Sequence, residues 1–213
     1  MGIPVLILGE SGSGKSASLR NFAHNQVAVF NVAGKLLPFR GKLKMINTDL
    51  YGMIKSGLSS GTALSYVIDD SQYLMANEFF DRAMEKGYDK YTELGLHFRD
   101  LLEHIKIATP KDCIVYLLHH VELDANGRYK AKTIGKMLDE KLTVEGLFTI
   151  VLLCRAEKDK HVFLTQGNGQ STAKSPMEMF PPELDNDLAL VDKTIREYYG
   201  LTPNPAVEKE ESE

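Results

Sequence analysis

Residues 9–16 read "GESGSGKS", directly after the apolar run "IPVLIL" and directly before "ASLRNFAHN". The pattern G-x-x-x-x-G-K-[ST] has a specific physical meaning. Glycines let the backbone curl so that successive N–H groups face phosphate oxygens, while a following helix turns its positive end to the same charge. Lys15 is placed to reach the β and γ phosphates of a nucleotide, and the Ser16 hydroxyl to ligate Mg²⁺. The expected phosphate-binding set is therefore Gly9, Glu10, Ser11, Gly12, Ser13, Gly14, Lys15, Ser16 and Ala17. Four fixed positions match by accident in roughly one chain in a hundred of this length. The context also fits, because a strand-like run ends at Gly9 and a helix-like segment begins near Gly14. The bland alternative is a flexible glycine turn.

The chain has 213 residues, enough for one core with little room for a second complete domain. Its 43% hydrophobic and 25% charged content is ordinary for a globular protein and selects no function. No window approaches eighteen apolar residues, so no membrane span is expected. The opening "MGIPVLIL" lacks the basic start and cleavage site of a leader and reads as the first core strand. Cys113 and Cys154 lie inside apolar runs and are not spaced as a metal knuckle, which suggests buried free thiols in a reducing, cytoplasmic setting. The net charge of −4 leaves no global nucleic-acid footprint, so any such binding is local. Residues 1–200 read as one domain, and 201–213, ending in "EKEESE", as an acidic disordered tail.

Apolar runs of strand length recur at "PVLILG", "QVAVFNV", "KLKMIN", "LSYVIDD", "CIVYLLHH", "FTIVLLC" and "HVFLTQ". Several are continuously hydrophobic, as strands buried on both faces should be. Between them lie amphipathic segments. In "DKYTELGLHFRDLLEHIKI" the residues Leu94, Phe98, Leu101, Leu102 and Ile105 mark one helix face. Strands alternating with helices predict an α/β fold with a mostly parallel sheet flanked by helices, and a phosphate loop at the carboxyl end of the first strand suits it.

A phosphate loop of this kind needs a carboxylate near the metal, at the end of a neighbouring hydrophobic strand. "SYVIDD" supplies Asp69 to approach Mg²⁺ and Asp70 to orient or deprotonate an attacking water; alternatively Asp69 faces solvent and Asp70 caps the next helix. "CIVYLLHHVE" ends in His119 and His120. One imidazole is expected to face the γ-phosphate and report hydrolysis through a hydrogen bond; the plainer outcome is one buried, hydrogen-bonded ring and one exposed. The stretch with Arg128, Lys130, Lys132 and Lys136 is the most basic locally, suited to nucleic-acid phosphates or to a neighbouring subunit's nucleotide, or simply to solvent. "GKLLPFRGKLK" is a weaker basic cluster. Arg155 and Lys174 are candidate cationic fingers that neutralise charge during phosphoryl transfer, or else surface cations.

Neither the N-K-x-D guanine reader of GTPases nor the L-S-G-G-Q of ABC-type ATPases occurs. A small-molecule kinase fits the length, but its lid carries closely spaced arginines, whereas the seven here are scattered. The combination "GESGSGKSASLRNF", "VFNVAGKLLPF", "SYVIDDSQYLM", "LLHHVELDANGRYKAKTIGKML" and "FLTQGNGQSTAKSPMEMFP" resembles the small RecA-fold, AAA-type ATP-binding proteins of phages and prophages, including single-domain RecA-like recombinases. The likeness runs from about Gly2 to Tyr199. It implies a P-loop NTPase core in which the His-bearing strand lies between the loop strand and the Asp69 strand. It further implies Mg²⁺-dependent ATP hydrolysis at interfaces of a homo-oligomer in the bacterial host cytoplasm. Cationic residues would be supplied in trans, with single-stranded DNA and a single-strand binding protein as partners. By position Lys15, Ser16, Asp69 and His120 carry over, Arg155 and Lys174 more loosely, and the usual catalytic Glu is Asp70, one methylene shorter. A small-molecule kinase and a nucleotide-gated assembly module with little hydrolysis are the alternatives.

Overall fold

A computed structural model of the chain describes residues 1–135, 138 and 142–204. Lys136 and the "EKEESE" end of the tail lie outside the described residues. The strands in chain order are β1 (Ile3–Gly9), β2 (Val27–Asn31), β3 (Lys44–Asn47), β4 (Ser65–Asp69), β5 (Ile114–Leu123), β6 (Tyr129–Ala131), β7 (Ile150–Ala156), β8 (His161–Leu164) and β9 (Glu183–Asp185). The helices are α1 (Tyr51–Ser59), α2 (Gln72–Asp81), α3 (Asp89–Ala108) and α4 (Leu188–Tyr199), with short 3-10 helices at Ser16–Asn21 and Val144–Leu147. The sheet order is β3-β2-β4-β5-β1-β7-β8-β9, with β6 paired to β5. β1 to β5 and β7 run parallel, while β6, β8 and β9 pair antiparallel.

The continuous apolar runs have the cause expected of them, since the central strands have a core on each face. On β1, Leu6 and Leu8 pack with Phe98, Leu101, Leu102 and Ile105 of α3. Val5 and Ile7 face the other way, toward Leu19, Phe22 and the Leu188, Val191 and Ile195 stripe of α4. Fully burying each such side chain contributes about 1.5–3 kcal/mol, and that is why α3 orders along its full length. The Asp187 side chain starts α4 by accepting from the amides of Ala189 and Leu190, and Gly200 ends it in a left-handed conformation.

The His-bearing β5 does lie between β1 and β4. Parallel register then delivers the chemistry to one sheet edge: Gly9 stands opposite His120 and Asn31 opposite Asp69. The segment after the glycine loop differs from expectation. It is a six-residue 3-10 helix, ended by the extended backbone of Phe22. Leu19 and Phe22 must both reach the core beside α4, and Ser18 Oγ bonds back to the Lys15 carbonyl at 2.6 Å. A long helix with an aligned dipole is therefore not what faces the loop.

At the amino end of the sheet a second polar cluster is built on buried Asp192 and Arg196. Arg196 Nε donates to Asp192 Oδ2 at 2.7 Å, and its other nitrogens reach the carbonyls of Leu64, Asp112 and Thr202 and the hydroxyl of Ser65. Asp192 Oδ1 accepts from Ser65 Oγ and Tyr116 OH.

Candidate functional site

β1 ends at Gly9 because the chain must turn there within contact of β7. A Cβ on Gly9 would stand 2.4 Å from Ser13 Oγ and 2.9 Å from the Cys154 carbonyl oxygen. Gly14, at φ 101°, has a backbone that L side chains rarely adopt, and a Cβ there would meet the His161 ring at 2.9 Å. The backbone amides of Gly12, Gly14 and Lys15 bond no acceptor among the described residues. Ser13 Oγ is buried without a partner among them. A buried donor left unmet costs about 1–3 kcal/mol, and Ser13 Oγ is such a donor in this loop.

Lys15 is buried, and its Nζ donates to the carbonyls of Gly9 at 2.8 Å and Glu10 at 2.9 Å. Burial pushes its pKa down, partly offset by Asp70, Cys154 and Asp69. Ser16 Oγ donates to Asp69 Oδ1 at 2.9 Å, tying the loop to the end of β4. Burial and the adjacent Asp70 push the Asp69 carboxyl up, with Ser16 and Lys15 acting against them. A buried carboxylate short of positive charge beside a hydroxyl is a donor set that suits a hard cation such as Mg²⁺. Among the described residues no group of three or more His, Cys, Asp or Glu could hold a metal by itself. A cation here would be shared among Ser16, Asp69 and oxygens of a ligand.

Asp70 does not cap α2. Its backbone sits at φ 60°, a left-handed conformation rare for a residue with a side chain. Such strain costs of order 1–3 kcal/mol and marks places where the surroundings dictate the geometry. Here they do so through the carboxylate: Oδ1 faces His120 Nε2 at 3.1 Å and Oδ2 accepts from Lys35 Nζ at 2.7 Å. Burial works to raise the Asp70 pKa, but the hydrogen bonds from His120 and Lys35 outweigh it and hold it at about 2.

The two histidines divide as their alternation on a strand requires. His119 is fully buried; its Nε2 donates to the Lys132 carbonyl at 2.9 Å, so Nδ1 accepts from Ser71 Oγ. Burial drops its pKa to about 4, so the ring is neutral. His120 turns to the cavity, with Tyr73 edge-on at 5.6 Å.

A cavity of about 360 Å³ collects these groups. Its walls are loop residues Ser11, Gly12, Gly14, Lys15, Ser16 and Ala17 on one side and Asp69, Asp70 and His120 on the other. That volume lies within the range of small-ligand sites. Lys35 and His161, both outside the expected set, also line it. His161 Nδ1 donates to the Ser13 carbonyl at 2.8 Å. Glu10 and Ser13 instead line a smaller cleft of about 130 Å³ on the β7 side, and the Gly9 carbonyl holds Lys15.

Arg155 and Lys174 are not brought to the 360 Å³ cavity. Arg155 borders the smaller cleft and pairs with Glu157 at 2.5 Å, because β7 passes on the far side of the loop. Lys174 is held by two backbone bonds to Val151, well before the carboxyl end of β7. Two of the basic-stretch cations are also neutralised within their hairpin: Arg128 pairs with Asp124 and Lys130 with Glu122. No helix among the described residues is long and apolar enough to cross a membrane.

Compared with protein-family models and with curated proteins, the chain matches none. The site therefore has to be read from its own geometry.

Proposed function

We propose that the chain is a P-loop NTPase of RecA-like fold that binds a nucleoside triphosphate with Mg²⁺ in the 360 Å³ cavity and hydrolyses it. The observation that carries this reading is the meeting of unpartnered loop amides, a buried Lys15, the Ser16–Asp69 pair and the Asp70–His120 pair around one cavity at the carboxyl end of a mostly parallel sheet. Open parallel sheets bind ligands at that end.

Each group then has a role. Lys15 leaves its two carbonyls for the β and γ phosphates. The loop amides would donate to phosphate oxygens, and the hydroxyl of Ser16 with the carboxylate of Asp69 would hold a magnesium ion, whose charge would neutralise the phosphates. Hydrolysis joins a water oxygen to the γ-phosphorus and breaks its bond to the bridging oxygen, giving diphosphate, phosphate and a proton. Asp70 orients that water; with a pKa of about 2 it is a weak base. His120, bonded to Asp70 and facing the cavity, reports the change in phosphate charge to the start of α2.

ATP as the nucleotide, single-stranded DNA and a single-strand binding protein as partners, a homo-oligomer, and a place in phage or prophage recombination or replication rest on the resemblance of the quoted motifs. Arg155, exposed beside the loop, is available to a neighbouring copy. The engaged Asp70 carboxylate favours a second reading, in which slow hydrolysis times an assembly whose nucleotide-bound form does the work. An ATPase assay with and without single-stranded DNA, beside native mass measurement, separates them. DNA stimulation with ATP-dependent assembly is expected from the first; ATP-dependent assembly with slow turnover and no DNA effect from the second. A monomer indifferent to DNA contradicts both.

A further inference from the structure

Besides Lys15, the lysine that faces the cavity is Lys35, which nothing in the phosphate-loop pattern announces. It stands four residues beyond Asn31 at the end of β2, and its backbone is clamped by that residue. Asn31 Nδ2 donates to the Lys35 carbonyl at 2.7 Å and to Asn47 Oδ1 at 2.9 Å, while the Lys35 amide donates to Asn31 Oδ1 at 3.3 Å. Asn31 is itself buried and in register with Asp69. The root of the lysine is thus fixed to the end of β2, beside the end of β4 that carries the candidate metal ligand.

Its tip is not fixed in the same way. The Lys35 side chain is 61% exposed and held by one ion pair to Asp70, with Nζ 5.2 Å from the centre of the Tyr73 ring. A pair with one exposed partner contributes about 0–1 kcal/mol, less than a charge-assisted bond to a phosphate oxygen. If Lys35 leaves, Asp70 keeps His120 on its other oxygen. Asp70 follows Asp69, and Asp69 binds Ser16. Lys35 and Asp70 therefore rest in the cavity together with Ser16, Asp69 and His120, on the carboxylate side where the proposed hydrolysis of the terminal phosphate would take place.

We propose that Lys35 is a second phosphate-binding cation supplied by the same chain, resting on Asp70 and transferring to the terminal phosphate of a bound nucleoside triphosphate, so that the site prefers triphosphate to diphosphate. The inference rests on the nucleotide-binding reading and deepens it. It also accounts for the placement of Arg155 and Lys174 away from the cavity, since the charge they were expected to bring comes from the loop after β2.

Calorimetric titration of the full chain with the Mg²⁺ complexes of AMP-PNP and of ADP tests it. Lys35→Met is expected to weaken AMP-PNP binding about tenfold to a hundredfold and to leave ADP binding within about twofold, with Lys35→Arg intermediate. Equal weakening of both ligands in Lys35→Met, or no weakening of either, overturns the role of Lys35. Failure of the unaltered chain to bind either ligand removes the nucleotide reading, and this inference falls with it.

Discussion

The two ends of the sheet use the same kinds of residue to opposite effect. At the amino end a buried Asp192, a buried Arg196 and the hydroxyls of Ser65 and Tyr116 close on one another, and Asn204 joins the same cluster. At the carboxyl end a buried Asp69, a buried Lys15 and the hydroxyls of Ser13 and Ser16 stay partly open: Lys15 bonds carbonyls of its own loop, and Ser13 Oγ bonds nothing among the described residues. A buried charge that is fully paired holds a fold together. At the carboxyl end the pairing is incomplete.

That contrast can be broken from either side. The largest effect should come from Arg196→Met, which leaves Asp192 buried without its cation and costs about 3–5 kcal/mol. At about 2–4 °C per kcal/mol for a domain of this size, a thermal melt should fall by roughly 6 °C or more. A melt shift under about 2 °C would mean that the amino-end cluster is not the closed structural unit its bonding suggests.

The next effect separates the adjacent histidines. The folded pKa of His119, about 4, lies below the ordinary 6.5, so between those values the unfolded chain binds the extra proton. Stability is therefore fully present above pH 6.5 and is lost as pH falls toward 4, by up to about 3 kcal/mol. Denaturant unfolding of the wild type and of His119→Gln across that range reads it; the variant should show a flatter dependence. Equal slopes would mean that His119 is not the buried neutral ring described.

Gly9→Ala comes third. Ser13 Oγ can rotate away from the new Cβ, but the Cys154 carbonyl cannot, and overpacking of this kind costs about 1–3 kcal/mol. Nucleotide affinity should fall as well, because the loop must shift. The smallest effect on stability should be that of Asp69→Asn. Its carboxyl is already pushed up by burial, so removing the charge should change stability by less than about 1 kcal/mol while abolishing the Mg²⁺ dependence of nucleotide binding. Asp192→Asn should cost several times more stability and leave Mg²⁺ dependence intact. Reversal of that pair, measured by melting and by titration with and without Mg²⁺, would undo the distinction between the two ends.

Much of this was legible in the residues. The seven apolar runs correspond to β1, β2, β3, β4, β5, β7 and β8; β1, β2, β4 and most of β5 and β7 are buried on both faces, whereas β3 is an exposed edge strand. The Leu94 to Ile105 stripe marks α3 because that face packs into the core. β6 and β9 escaped, being three residues each and defined by their neighbours rather than by their own pattern. The glycine loop, Asp69 and His120 were found because each sits where an apolar run stops. Lys35 is not legible in "GKLLPF", since its position depends on the Asn31 clamp and on register between β2 and β4, which no local pattern encodes. For Arg155 and Lys174 the converse holds: their charge is visible in the sequence, their placement outside the 360 Å³ cavity is not.

The central claim, that the open end of the sheet is a phosphate site organised by Lys15, has one direct test. The unaltered chain and Lys15→Ala are titrated with Mg²⁺-ATP by calorimetry, with thermal melts of both as the control for folding. The account predicts saturable binding by the unaltered chain, at least about a hundredfold weaker in Lys15→Ala, with the variant still folded. Equal binding by a folded Lys15→Ala, or no binding by the unaltered chain, would contradict it.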